Sequence, residues 1–137
     1  MCLAVYIASD RELPLLPWND EKWAFWVGEL VEDDAAVRGQ FSLPNVRYVG
    51  SDAGCGCGFF KPAHNDQELP EAERNYSDLA AYLTPLIATS ASIELFACWQ
   101  GDQDAEKQAT ETITLGELTT KEFEFQEKYF YRITGAP

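Results

Sequence analysis

The chain has 137 residues, a length that suits one ordinary domain, which we assign to residues 1–137. Hydrophobic residues make up 46% of it and aromatic residues 13%, so a core is available and we do not expect the whole chain to be disordered. Ten basic and 23 acidic residues give a formal net charge of −13, which repels phosphate backbones and anionic lipid surfaces. We therefore expect neither nucleic acid nor a membrane as a partner.

The first half of the chain predicts short strands separated by turns. The apolar run at 2–8 is typical of a buried strand, and bulky residues on alternate positions predict a second strand over 22–30. The acidic start of 32–39 indicates a solvated loop or a short helix. A third strand is predicted over 45–49, and after a glycine-rich interruption an extended segment over 55–60.

The clearest pattern in the chain predicts a helix that begins at Glu71 or Ser77 and ends at Ala88. Apolar residues recur there at the spacing of one buried helix face: Leu79, Tyr82, Leu83, Leu86 and Ile87. Three predicted strands follow the helix in the chain. One over 92–99 is expected to be central in the sheet, and the other two lie over 110–115 and 123–133. Together these elements predict an α+β fold, with a mostly antiparallel sheet of about six strands and one main helix on one face.

The most distinctive motif is Gly54-Cys55-Gly56-Cys57-Gly58. In an extended segment both thiols would share one face, and the glycines would let a ligand or another backbone approach closely. In a turn, the glycine N–H groups would form a nest for an anion beside the thiols. Cys55 and Cys57 are therefore the candidate redox or ligand-binding residues, with simple packing of small apolar side chains as the alternative.

A metal site is one function open to these cysteines. Cys55, Cys57 and His64 supply a C-x-C-x6-H pattern, and Cys98 or Cys2 would complete a thiolate-rich set suited to zinc. The spacing differs from the paired knuckles of structural zinc sites, and His64 alone is typical of a solvated loop. Thiol redox chemistry is the other function, because two neighbouring thiols can form a readily reduced disulfide.

The chain begins with Met-Cys-Leu-Ala-Val-Tyr, without the basic residues of a signal peptide, so we expect a cytoplasmic protein with free thiols. Loss of Met1 would make Cys2 an N-terminal nucleophile, but a small residue that starts a buried strand is the simpler interpretation. We also expect Cys57 and Cys98 to be buried on the same side of the sheet, with Cys55 the more accessible of the Cys55–Cys57 pair.

A dense aromatic group supplies the remaining candidate surface. It consists of Trp18, Trp23, Phe25 and Trp26, which would be core if buried and a binding patch if exposed. The sequence thus leads to two hypotheses and leaves open whether the protein is an enzyme. The first is a non-enzymatic module that binds a protein or small-molecule partner, basic or neutral, at this aromatic face. The alternative is a thiol-dependent redox or zinc-binding protein centred on Cys55 and Cys57.

Overall fold

The computed structural model describes residues 2–134, apart from the side chain of Ala63. In this part of the chain six strands form one sheet beside one α-helix, which confirms the predicted α+β fold. The strands are β1 (Leu3–Ser9), β2 (Trp26–Gly28), β3 (Asn45–Gly50), β4 (Ile93–Trp99), β5 (Ala109–Thr114) and β6 (Tyr129–Thr134), and the helix is α1 (Leu69–Ala88).

The sheet has the strand order β2-β3-β1-β4-β6-β5. Neighbouring strands run antiparallel except β5 and β6, which are parallel. β1 lies between β3 and β4, and all of its residues are buried, as expected for a continuous apolar run. β4 also has a neighbour on each side, which confirms its predicted central position.

Both faces of the sheet are covered. On the helix face, Tyr76, Leu79 and Leu83 of α1 pack against the strands, which confirms the predicted apolar face of the helix. On the opposite face, a 3-10 helix at Glu32–Gln40 places Val37 in a smaller core. The strand residues of that second core are Ala4, Tyr6, Ala8, Val46, Phe96, Cys98 and Phe130.

Three predicted extended segments differ from the structure: two strands are shorter than predicted, and the third segment is not a strand. The strand predicted over 22–30 is reduced to β2, and the one predicted over 123–133 begins only at Tyr129. Phe123 and Phe125 reach the helix-side core from a loop, so their alternation resembles a strand without sheet pairing. The segment predicted as extended over 55–60 contains a 3-10 turn at Gly56–Phe59. Between residues 2 and 134, no helix has the length and apolar character needed to cross a membrane.

Candidate functional site

The two cysteines of the glycine-rich motif are held by a loop that folds back on the end of β3. Ser51, which is fully buried, organises this loop. Its backbone N–H donates to the carbonyl oxygen of Cys55 at 2.9 Å, and its hydroxyl donates to the same oxygen. The Ser51 Oγ also accepts the N–H of Gly58 at 2.9 Å and that of Ala53 at 3.2 Å. One side chain therefore joins the two ends of the loop.

Asn75 connects this loop to α1. Its amide nitrogen donates to Asp52 Oδ1 at 2.9 Å and to the carbonyl oxygen of Gly58 at 3.4 Å. Its side-chain oxygen accepts the backbone N–H of Asp52 at 3.1 Å. A buried amide with this many partners is stabilising, because its polar atoms are satisfied inside the protein. The loop is thus fixed to the helix as well as to the sheet.

Gly56 brings the loop against β1. A Cβ atom at this position would lie 2.6 Å from the carbonyl oxygen of Leu3 and 3.2 Å from Cγ2 of Val5. Both distances are shorter than ordinary van der Waals contacts, so the absence of a side chain permits the approach of the two backbones. Cys55 and Cys57 are thereby held beside the residue that begins β1.

Three thiols meet at this contact. The sulfur atoms of Cys2, Cys55 and Cys57 all lie within 4.8 Å of one another. Between residues 2 and 134, no other group of three or more His, Cys, Asp or Glu side chains brings its ligand atoms this close together. Cys2 is exposed, and Cys55 and Cys57 are half-buried, so the cluster is open to solvent on one side. We call these three residues the thiol cluster.

Backbone N–H groups donate to two sulfur atoms of the thiol cluster. The N–H of Leu3 donates to Cys57 Sγ at 3.3 Å, and the N–H of Cys57 donates to Cys55 Sγ at 3.4 Å. Such donors stabilise negative charge on sulfur. Burial nevertheless raises the pKa of the Cys55 thiol to about 12, and hydrogen bonds with the Cys57 and Cys2 thiols add to the effect. At neutral pH the free Cys55 thiol is therefore protonated and a weak nucleophile.

Cys98 and His64, the other two candidate ligands, do not join the thiol cluster. Cys98 is fully buried in the core on the opposite face of the sheet, whereas Cys57 packs against the core on the helix face. The expectation that these two cysteines share one side was wrong. Burial raises the pKa of Cys98 to about 12, so this thiol is protonated and enclosed. The Nδ1 atom of His64 lies 2.8 Å from the carbonyl oxygen of Phe60.

No protein family, curated protein or solved structure matches this chain.

Sequence reasoning missed two residues that position the cluster, although each left a signal. Asn75 lies four residues before Leu79 on the buried stripe of α1, and a polar residue in such a stripe needs partners inside the protein. Ser51 lies in the Gly-Ser-Asp-Ala-Gly stretch, a composition typical of a tight turn. The sequence offered Cys98 or Cys2 as a further zinc ligand beside Cys55 and Cys57. The fold brings Cys2 to this pair and keeps Cys98 on the opposite face of the sheet.

Proposed function

We propose that this protein is a metal-binding module, and that Cys2, Cys55 and Cys57 bind one thiophilic metal ion such as Zn²⁺. The observation that carries the proposal is the mutual approach of the three sulfur atoms to within 4.8 Å. In a tetrahedral site with Zn–S bonds of about 2.3 Å, the sulfur atoms lie about 3.8 Å apart. Small side-chain rotations would bring the thiol cluster to that spacing.

The chemistry of the ligands selects the class of metal. Three thiolates without carboxylate or imidazole ligands favour Zn²⁺ or Cu⁺ over Mg²⁺ or Ca²⁺, which prefer oxygen. The two N–H donors to Cys57 and Cys55 would remain as partners of the bound thiolates, the role that surrounding hydrogen bonds have in metal sites.

The number of ligands selects the type of site. Structural zinc sites are closed by four protein ligands, whereas three protein ligands leave one position for water or another small ligand. Because Cys2 is exposed, that position would face solvent. The thiol cluster is thus suited to an ion that can be taken up and released.

Titration of the reduced, metal-free protein with Co²⁺ tests this proposal. Thiolate-to-cobalt charge-transfer absorption should saturate at one ion per chain and disappear when Zn²⁺ is added. Cys2→Ser, Cys55→Ser and Cys57→Ser should each weaken cobalt binding by at least about tenfold, because each removes a ligand. Cys98→Ala is the matched control and should bind as the wild type does. Wild-type affinity in the three serine variants, or no cobalt complex at all, would reject the proposal.

A dithiol–disulfide couple is the second candidate, since the proximity that suits a metal also allows two of the three thiols to be oxidised. In that reaction a pair would lose two electrons and two protons to an added oxidant such as glutathione disulfide. Thiol alkylation followed by mass spectrometry separates the two functions. If the site binds metal, zinc should protect Cys2, Cys55 and Cys57, and a chelator should restore their labelling. Labelling that zinc leaves unchanged, together with a disulfide after oxidation, would favour the redox function.

A further inference from the structure

A groove lies between the loop at 16–25 and helix α1. None of the three cysteines of the thiol cluster lines it, although Asp52 and Asn75, which anchor the loop of that cluster, do. Its volume is about 680 Å³, which is within the range of about 300–1,000 Å³ found for ligand pockets. Trp23, Phe25 and Tyr82 supply its aromatic walls. Phe25 belongs to the core and also lines the groove, whereas Trp23 is 69% exposed. Trp18 and Trp26, the other two residues of the aromatic group, are half-buried and do not line the groove.

Trp23 is held in place although it is exposed. Its indole N–H donates to the carbonyl oxygen of Asp20 at 3.0 Å. Its ring stacks on Trp18 with 6.5 Å between ring centroids and 22° between planes, and the Trp18 N–H donates to Asp20 Oδ1 at 2.7 Å. An exposed aromatic ring that is already ordered loses little conformational entropy when a ligand covers it. Trp23 therefore provides a preorganised surface for stacking.

The charged residues of the groove favour a cation. Three carboxylates line it (Asp52, Glu71 and Asp78) against two cations (Lys22 and Arg74). Asp78 is half-buried, and within residues 2–134 its carboxylate forms neither a hydrogen bond nor an ion pair. Burial raises the pKa of Asp78, while Arg74 and Lys22 lower it. A cationic ligand would add to the local stabilisation of this carboxylate and would be attracted by the overall charge of −13.

We propose that this groove binds an arginine side chain of a basic protein partner, with the guanidinium group stacked on Trp23 and paired with Asp78. Arginine fits both groups, because its planar guanidinium stacks on aromatic faces and forms two parallel hydrogen bonds with a carboxylate. A lysine ammonium has no planar group to stack and binds a carboxylate as a point charge. The proposal does not depend on the function of the thiol cluster.

The test is a titration of the ¹⁵N-labelled full chain with a peptide of alternating glycine and arginine, followed by NMR at physiological salt. Chemical-shift changes should concentrate at the Trp23 indole N–H and at residues 71–82 of α1. Trp23→Ala and Asp78→Asn should each weaken binding by at least about threefold, because each removes one of the two contacts with the guanidinium. The same spectra show whether each variant is folded. If Trp23→Ala is unfolded, the affinity of Asp78→Asn alone decides the outcome.

Two controls separate this site from general attraction to an acidic protein. Asp104→Asn removes the same charge from an exposed turn and should leave the affinity within about twofold of the wild type. A glycine–lysine peptide of equal charge should bind more weakly than the arginine peptide. Equal weakening by Asp104→Asn and Asp78→Asn, equal affinity for both peptides, or shift changes that avoid Trp23 would overturn the proposal.

Discussion

Gly56 determines how closely the turn with the two cysteines approaches β1. The carbonyl oxygen of Leu3 and a methyl group of Val5 occupy the space that a side chain at this position would need. A methyl group there must displace either the turn, which carries Cys55 and Cys57, or the start of β1, which Cys2 directly precedes. The geometry of the site thus depends on a residue that offers no ligand atom.

We predict that Gly56→Ala weakens cobalt binding by at least about tenfold, because a ligand displaced by an ångström no longer satisfies the geometry of the metal. The affinity is measured by competition with a chelator of known strength. Gly39→Ala is the matched control, since a Cβ at Gly39 meets no atom within 4 Å and should leave the affinity unchanged. Wild-type affinity in Gly56→Ala would show that the close contact with β1 is not needed for the site.

The sequence predicted part of this site and not the rest, for physical reasons. Cys55 and Cys57 are neighbours in the chain, so their proximity followed from the motif in either a turn or a strand. The positions of Cys2 and Cys98 relative to this pair depend on how distant strands pair. The register of β1 with β4 is not visible in a local sequence pattern. Alternation along β4 places Cys98 with Phe96, but it does not say which face of the sheet α1 will cover.

Helix α1 contributes stability through its buried stripe. Leu83 is fully buried within the core on the helix face. We predict that Leu83→Ala lowers the free energy of unfolding by about 2–5 kcal/mol, because the change loses apolar burial and leaves a cavity. Chemical denaturation monitored by circular dichroism measures the difference.

Thr84→Ala is the control for this prediction. Thr84 is exposed on the neighbouring position of the helix, and its hydroxyl donates back to the carbonyl oxygen of Ala80 at 2.7 Å. Its replacement should change the free energy of unfolding by less than about 0.5 kcal/mol. A loss below about 1 kcal/mol in Leu83→Ala would mean that the helix packs on the sheet through a different face.

The elements that the sequence predicted best are those whose buried residues follow a regular pattern along the chain. The stripe of α1 is periodic because one face of the helix is covered, and the apolar runs of β1 and β4 are continuous because both faces of these strands are covered. The predicted strands over 22–30 and 123–133 contain aromatic residues that enter the core from loops, such as Phe25 and Phe125. Burial of that kind gives strand-like alternation without backbone pairing, so a local pattern overestimates strand length.

The net charge of −13 opposes the binding of polyanions such as DNA. We predict that the protein does not retard duplex DNA in a gel-shift titration at low salt, where electrostatic attraction would be strongest. A basic protein of similar size serves as the positive control. Retardation that weakens with added salt would contradict this expectation and would indicate a local basic surface strong enough to overcome the overall charge.

X-ray absorption at the zinc edge of the zinc-loaded protein shows which atoms bind the metal, and so tests whether three thiols of one chain hold one ion. We expect three sulfur ligands at about 2.3 Å and one nitrogen or oxygen ligand at about 2.0–2.2 Å. Cys98→Ala should give the same spectrum, and Cys2→Ser should lose one sulfur. A spectrum without sulfur ligands, or one that Cys2→Ser leaves unchanged, would show that the thiol cluster is not a metal site.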